Sequence, residues 1–220
     1  MIASVLTLSR EDCKTLKIKD AYSIHRVVYD LFPDVRNEEE KHSSTPSGIL
    51  FADQGGDFHS RRVLILSNRE PRLPELGQIS SKEVLPTFLV HDHYGFQVRM
   101  NPTKRDKTTG KTVAVRGDKN INQSDQQALK EWFLDSQRQA SWGFMVVPES
   151  LQIQDVGVQR FEKVSGKTVT HCTATFKGRL EVSDRVSFIR SFEEGLGRAK
   201  AFGFGLLQIV PLQNGIKIKS

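Results

Sequence analysis

Three ring-bearing side chains share one face of a predicted helix near the start of the chain. Tyr22, His25 and Tyr29 are spaced at i, i+3 and i+7, which places them along one stripe of a helix. Asp20 is a good N-cap, so the stripe begins in the first turn, where unpaired backbone N–H groups favour an anion such as phosphate. Histidine, with an unperturbed pKa of about 6.5, can accept or donate a proton near neutral pH. The stripe is suited to general acid–base chemistry or, alternatively, to packing at a half-buried surface.

A glycine-rich segment near the C-terminus is the most specific local pattern. It contains four glycines and two basic residues: Gly195, Gly197, Gly203, Gly205, Arg198 and Lys200. The segment follows a predicted helix and precedes a predicted strand, which is the reverse of a nucleotide-binding fingerprint, and it lacks the Walker A pattern. Glycines allow the backbone to approach a phosphate chain, and the basic side chains supply charge. A helix C-cap followed by a tight turn is the alternative interpretation.

Positive charge is concentrated in two parts of the chain, although the net charge is only +6. Residues 99–119 have seven basic and two acidic side chains, and residues 160–220 have eleven basic and five acidic ones. The intervening residues 120–159 are net acidic. Basic zones favour a polyanion such as nucleic acid because each phosphate contact releases condensed counterions. A solvated, lysine-rich surface is the alternative.

The predicted helices and strands that must position these residues form two similar series along the chain, one in each half. In the first half we predict a strand at 3–8, a helix at 21–32, a polar loop at 37–48 and a hairpin of the apolar runs 49–51 and 63–66. Pro33 ends the helix because proline cannot continue its hydrogen bonding. A second helix is not visible in this half.

The second half has a clearer series. We predict a strand at 94–100, a long exposed hairpin within 103–119, a helix from Ser124 to about 136, strands at 143–147, 168–176 and 180–182, a helix after Ser183 or Asp184 that ends at Gly195, and a last strand at 204–210. Val186, Ile189 and Phe192 are the expected packing face of the last helix. These series predict an α+β protein with two tandem ferredoxin-like βαββαβ domains, at 1–87 and 88–212, followed by a tail at 213–220.

Composition excludes several classes of protein. The chain is 37% hydrophobic and 26% charged, as in ordinary globular proteins. No apolar run approaches the roughly 20 residues that span a bilayer, and the first residues do not resemble a signal peptide. Cys13 and Cys172 cannot form a disulfide framework, and the His91-Asp92-His93 pair of histidines lacks third and fourth metal ligands. We therefore expect a cytoplasmic protein with no metal, no other cofactor and no membrane partner.

Three stretches together resemble the CasE family of CRISPR-associated endoribonucleases, the repeat-processing subunit of type I-E Cascade in the RAMP superfamily. They are Leu31-Phe32-Pro33 after the first helix, Arg99-Met100-Asn101-Pro102-Thr103-Lys104, and the glycine-rich segment from Gly195 to Leu212. The glycine-rich segment is itself similar to the RAMP signature. The resemblance extends from the first strand to Pro211, is weak between 49 and 88, and excludes the tail.

The resemblance implies a metal-independent endoribonuclease that cuts precursor CRISPR RNA at the base of the repeat hairpin. It implies that the protein stays bound to the mature RNA and joins other Cascade subunits, among them a backbone subunit. His25 matches the family's catalytic histidine, and Tyr22 matches a tyrosine found three residues earlier in some members. Attack by the ribose 2′-hydroxyl would leave 2′,3′-cyclic phosphate and 5′-hydroxyl ends. Whether His25 acts as the acid or the base stays open.

Basic side chains in four places are the expected RNA contacts. They are Arg99 and Lys104 at the Asn-Pro turn, Arg105, Lys107, Lys111 and Arg116 on the hairpin, Lys163 and Lys167 before a predicted strand, and Arg198 and Lys200 among the glycines. Shape and phosphate contacts dominate recognition of an RNA stem, and Lys163 or Lys167 could offset transition-state charge. The alternative function is that of a RAMP-type structural subunit that binds RNA without cleaving it and does not need a histidine at position 25.

Overall fold

The first half of the chain forms a four-stranded antiparallel sheet. The computed structural model describes residues 1–33, 47–57, 59–162 and 166–212. The elements of this half are strands β1 (Ile2–Ser9), β2 (Ile49–Gly56), β3 (Ser60–Ser67) and β4 (Gln78–Glu83), with helices α1 (Arg10–Thr15) and α2 (Ala21–Asp30) after β1. The strand order is β2-β3-β1-β4 and each neighbouring pair is antiparallel, as in a ferredoxin-like unit. The described residues 68–77 between β3 and β4 contain no helix, so this unit lacks its second helix.

Helix α2 is fixed at its start by its own side chains and along its length by burial. The Asp20 carboxylate accepts a hydrogen bond from the Ser23 backbone N–H at 2.8 Å, in a capping box that satisfies first-turn donors. Ile24 and Val28 are buried against the sheet, in a core that includes Leu6 and Leu8. The helix ends at Asp30, two residues before the predicted end.

The second half forms a larger sheet and a small hairpin. Its elements are β5 (His93–Met100), β6 (Thr103–Arg105), β7 (Thr112–Ala114), α3 (Asp125–Phe133), α4 (Ser136–Trp142), β8 (Phe144–Val146), β9 (Gln152–Glu162), β10 (Thr168–Val182), α5 (Arg185–Glu194) and β11 (Gln208–Pro211). The order β11-β5-β10-β8 repeats the order of the first sheet. Both β8 and β9 pair with the same edge of β10, at 180–182 and 168–177 respectively, so together they occupy the position of one ferredoxin strand.

The two halves share a hydrophobic core. Leu50 and Leu66 of the first sheet belong to one buried cluster with Phe96, Phe133 and Phe176 of the second half. The glycine-rich segment contributes Leu196, Leu206 and Leu207 to the same cluster. Because these leucines are buried in the shared cluster, the segment is held in place by both halves of the chain.

Several predictions of local structure are wrong. Val186 is 74% exposed, and Phe188 instead packs into the core, because the helix starts at Arg185 and turns that face inward. The predicted last strand at 204–210 is a buried irregular segment followed by the short β11. The strands predicted at 168–176 and 180–182 are the single strand β10. Most of the predicted polar loop, at 37–46, lies outside the described residues.

Within the described ranges, no helix has the length and apolar character needed to cross a membrane.

Removal of the α2 cap tests how far local capping stabilises the helix that bears His25. We expect Asp20→Ala to lower the free energy of unfolding by about 1 kcal/mol, because the Ser23 N–H loses its acceptor. Asp184→Ala is the matched control, since Asp184 accepts from the Ser187 N–H in the same way at α5. Urea denaturation measures both. A loss for Asp184→Ala with none for Asp20→Ala would contradict the capping role.

Candidate functional site

The His25 side chain is held by a main-chain carbonyl from the other half of the protein. Its Nδ1 lies 2.8 Å from the carbonyl oxygen of Ala201, in the glycine-rich segment. A carbonyl oxygen only accepts hydrogen bonds, so Nδ1 is the donor and bears a hydrogen. The proton that His25 gains or loses is therefore the one on Nε2. The imidazole is half-buried rather than enclosed.

Three aromatic rings surround this imidazole. The ring centroids of Tyr29, Phe202 and Tyr22 lie 4.2, 5.4 and 5.9 Å from that of His25. Tyr22 also stacks on Phe161 of β9, with 5.9 Å between centroids and 4° between planes. Tyr22 and Tyr29, which were predicted to share a helical stripe with His25, are therefore its neighbours in the structure. The rings from β9 and the glycine-rich segment extend that stripe into a cluster built from both halves.

Asn101 directly follows β5, and its side chain connects the end of this strand to β10 and the ring cluster. Its side-chain oxygen accepts from the Cys172 N–H at 3.1 Å, and its Nδ2 lies 3.2 Å from Nδ1 of His171. An amide nitrogen donates, so His171 Nδ1 is the acceptor. The His171 ring in turn contacts Phe161 and Phe202, at centroid distances of 5.8 and 5.4 Å. The Asn-Pro turn thus positions β10 beside the rings around His25.

The four glycines allow the segment to pack against the protein itself. All four have φ between 73° and 82°, a left-handed backbone that favours glycine. A Cβ on Gly205 would lie 2.3 Å from the Leu196 carbonyl oxygen, and one on Gly197 would lie 2.8 Å from the Met100 side chain. Gly195 also ends α5, as the C-cap interpretation has it. The close approach that the glycines permit is therefore to neighbouring protein atoms.

This packing places Ala201 and Phe202 opposite His25. The Leu196 N–H donates to the Gly205 carbonyl, and the Gly205 N–H donates to the Arg99 carbonyl, each at 2.8 Å. Within the closed loop, a short 3₁₀ helix over Lys200–Phe202 follows Ala199, which also has a positive φ. The main-chain geometry of the loop therefore sets where the carbonyl acceptor for His25 lies.

The basic hairpin of β6 and β7 is joined to the same segment. Arg198 donates from Nη1 to Oγ1 of Thr112, on β7, at 2.9 Å. Lys104, Lys107 and Lys111 are exposed on the hairpin and its turn. The exposed Arg105 donates from Nε to the Gly110 carbonyl across the turn, at 3.1 Å. The hairpin and its exposed cations therefore adjoin the glycine-rich segment.

The remaining basic residues that sequence analysis selected have different surroundings. Arg99 lies over the Phe204 ring at 5.3 Å, and Arg116 forms a 2.9 Å ion pair with Asp125. Lys200 is half-buried, and this burial lowers the pKa of its ammonium group while Glu194 opposes the shift. Lys167 is exposed beside the start of β10, and Lys163 lies outside the described residues.

A cavity of about 430 Å³ lies beside the ring cluster. Tyr29, Ser47, Asn68, Glu194, Lys200 and Ala201 are among the residues that line it. It therefore borders Tyr29, whose ring contacts His25, and the half-buried Lys200. Among the described residues, no three His, Cys, Asp or Glu side chains come together as a possible metal site.

Sequence reasoning missed Phe161, Phe202 and the Ala201 carbonyl. A large apolar residue within a glycine-rich segment, as Phe202 is, signals that the segment packs inward rather than lining a phosphate site. Phe161 lies on β9, whose other residues are mostly exposed, so its burial had no periodic signal. Every residue has a main-chain carbonyl, so the sequence does not indicate which carbonyl will accept a hydrogen bond from a given side chain.

Comparison with known proteins identifies the family. The family model described as "CRISPR associated protein" matches residues 1–211. The Cascade subunit CasE of Escherichia coli K12 is 24% identical over 199 residues, which cover 88% of this chain and 94% of that protein. The CRISPR-associated endoribonuclease Cse3 of Thermus thermophilus is 29% identical over 119 residues, or 53% of this chain and 54% of Cse3. The chain belongs to the CRISPR-associated protein family, and the CasE-family membership indicated by its sequence motifs is confirmed.

A solved structure confirms the fold. The structure of the CRISPR endoribonuclease Cse3 bound to a 19-nucleotide RNA has a TM-score of 0.75 with this chain, at 22% identity. The match covers 96% of this chain and all of that one. The prediction of an α+β fold with tandem ferredoxin-like units is therefore confirmed.

Alanine substitutions at two glycines distinguish the stability cost of a strained backbone from that of a steric clash. We expect Gly55→Ala to cost about 1–2 kcal/mol, because its φ is +76° but nothing lies within 4 Å of the new Cβ. Gly205→Ala has nearly the same φ, +82°, and adds the clash with Leu196, so we expect a loss larger by about 1–3 kcal/mol. Urea denaturation measures both variants. Equal losses would contradict the packing account of the glycine-rich segment.

Proposed function

We propose that this protein is an endoribonuclease that processes precursor CRISPR RNA at the base of the repeat hairpin, with His25 as its key catalytic residue. The observation that supports this most strongly is the hydrogen bond from His25 Nδ1 to Ala201, which directs the exchangeable proton to Nε2. The named activity of Cse3 and the Cascade membership of CasE support the same assignment.

The proposed reaction is an intramolecular transesterification. The 2′-oxygen of the ribose loses its proton and attacks the adjacent phosphorus, and the bond from phosphorus to the 5′-oxygen breaks. The leaving 5′-oxygen takes up a proton, so the products have 2′,3′-cyclic phosphate and 5′-hydroxyl ends. His25 performs one of the two proton transfers through Nε2. No electron transfer or metal-bound water is part of this scheme.

Other residues would bind and stabilise the reacting phosphate. Tyr22 stacks beside His25, and its hydroxyl would orient the 2′-hydroxyl or donate to a phosphate oxygen. Arg198 and Lys200 lie on either side of Ala199 in the segment that holds His25, and their cations would offset charge that develops on the phosphate. Lys167, exposed at the start of β10, is a further candidate.

The exposed hairpin cations would bind the RNA stem. Lys104, Lys107 and Lys111 are solvated and can approach phosphates with little loss of protein contacts. Arg99 and Arg116 already have partners within the protein, so binding through them would require those contacts to be shared or exchanged. After cleavage the same contacts would retain the product hairpin. Retention is consistent with a role as a Cascade subunit, as in the CasE relative.

Loss of the imidazole tests the assignment of the catalytic residue. We expect His25→Ala to slow cleavage of an end-labelled repeat hairpin by about 10²–10⁴-fold while affinity stays within about twofold, because the stem contacts lie elsewhere. The assay contains EDTA and is run under single-turnover conditions. His91→Ala, at an exposed histidine outside the ring cluster, is the control.

Two outcomes would change the assignment. Wild-type binding without cleavage would identify an RNA-binding structural subunit instead of a nuclease. Cleavage by His25→Ala at the wild-type rate would place the active site elsewhere, and cleavage that depends on added Mg²⁺ would contradict the metal-independent scheme.

Salt dependence tests the hairpin contacts. We expect the affinity for the RNA hairpin to fall steeply with salt, and Lys107→Ala to reduce the slope of log K against log[salt] by about 1, because one phosphate contact is lost. Lys130→Ala removes an equally exposed lysine from α3 and should leave the slope unchanged. Fluorescence anisotropy over a salt series measures both. Equal slopes for the two variants would rule out Lys107 as a phosphate contact.

A further inference from the structure

The second sheet has one apolar face and one polar face. Phe96 on β5 and Phe176 on β10 lie on the apolar face, where both rings stack on Phe133 of α3. Successive side chains of a strand point to opposite faces of its sheet, so the adjacent Gln97 and Lys177 lie on the other face. The polar face is therefore the one turned away from α3.

Strand register aligns four polar side chains in one row across this face. Gln97 on β5 pairs with Gln208 on β11 and with Lys177 on β10. Lys177 in turn pairs with Gln152 on β9. We call these four residues the polar row. Neighbouring strands lie about 4.8 Å apart, so the row spans roughly 14 Å and offers three amides and one ammonium group along one line.

The polar row is held at one end and borders a depression. The side-chain oxygen of Gln208 accepts a hydrogen bond from Nε2 of Gln54, on β2 of the first sheet, at 3.0 Å. Gly95 has no side chain to fill the space beside Gln97, and a depression of about 460 Å³ lies there. All four residues of the polar row line it, so another molecule can reach their amides and the ammonium group.

Charge on this face is positive. The rows on either side of the polar row contain Arg99 and Arg179, which share the face with Lys177. The three rows, all within the described part of the chain, contain no acidic residue: they are Arg99, Thr175 and Gln154, then the polar row, then Val210, Gly95 and Arg179. Arg99 also lies over the Phe204 ring, so the polar face continues to the glycine-rich segment. Cations beside amides complement the phosphates and base edges of an RNA strand.

We propose that the polar row binds the single-stranded RNA that adjoins the base of the repeat hairpin. The proposal rests on the proposed endoribonuclease function, which brings the hairpin base to His25. Unpaired bases expose edges that side chains can hydrogen-bond, and a four-stranded sheet can bind two or three of them. The glutamine amides can both donate to and accept from base edges, whereas Lys177 would bind a phosphate.

The affinity for extended RNAs tests this surface. Fluorescence anisotropy compares the repeat hairpin with hairpins that have a short unpaired extension at the 5′ or the 3′ end, each with a 2′-deoxy substitution that prevents cleavage. We expect one extension to tighten binding to the wild type about tenfold, as two or three hydrogen bonds to base edges would. The end that has this effect identifies the flanking strand that occupies the sheet.

A double variant tests whether the polar row causes the gain. We expect Gln97→Ala combined with Lys177→Ala to lose most of the gain, while affinity for the unextended hairpin stays within about twofold. Gln126→Ala combined with Lys130→Ala removes the same residue types from exposed positions on α3 and should keep the gain. Gln97→Glu nearly preserves the side-chain shape and adds a negative charge, so it should lose the gain without disturbing the fold.

A second readout does not need the hairpin. In ¹⁵N-labelled protein, the side-chain amide signals of Gln97 and Gln208 should shift when an unstructured RNA with the sequence of the extension is added. If the wild type does not bind the hairpin, the proposed function fails, but these signals still decide whether the sheet binds single-stranded RNA. Unchanged amide signals would overturn the proposal. Equal gains in the wild type and the double variant, or no gain from either extension, would also overturn it.

Discussion

The hydrogen bond between His25 and the Ala201 carbonyl connects two parts of the chain that are 176 residues apart. It joins α2, which packs on the first sheet, to a segment that follows the last helix of the second half. The segment packs against β2 at Gly195, where a Cβ would lie 2.8 Å from the Leu50 side chain. It packs against itself at Gly205, where a Cβ would lie 2.3 Å from the Leu196 carbonyl oxygen. The shared core of Leu50, Leu66 and Leu196 keeps the two sheets at the required separation. The orientation of the candidate catalytic residue therefore depends on the packing between the halves.

The rings around His25 and the cations on the hairpin have different proposed roles at the site. Tyr22, Tyr29 and Phe202 pack around the imidazole, and Phe161 stacks on Tyr22, so these contacts limit the reorganisation that the imidazole would need when a substrate binds. The hairpin lysines remain solvated, where screening by salt tunes their attraction for phosphate. Arg198 belongs to both groups, since it lies in the segment that holds His25 and donates to the hairpin at Thr112.

Sequence patterns predicted the elements that have local signals. Asp20 and Pro33 mark the helix of His25, strand alternation marks β1 and β5, and the ring stripe follows from helical spacing alone. Strands β4 and β9 were missed because their residues are polar and largely exposed, so pairing with neighbours rather than periodicity defines them. The Ala201 acceptor and the approach of Phe161 to Tyr22 could not be predicted, because both arise from contacts between distant segments. The catalytic role proposed for His25 comes from the family resemblance, because helical spacing alone left that role open.

In the proposed reaction His25 acts on the scissile phosphate through Nε2 while Nδ1 stays bound to Ala201. This arrangement can be tested with a crystal structure of the protein bound to a repeat hairpin that has a 2′-deoxy substitution at the cleaved nucleotide. We expect Nε2 to lie within about 3.5 Å of the 5′-oxygen or of the position of the missing 2′-hydroxyl, with the Ala201 bond intact. A scissile phosphate bound beyond hydrogen-bond reach of His25, or an imidazole turned away from Ala201, would contradict it.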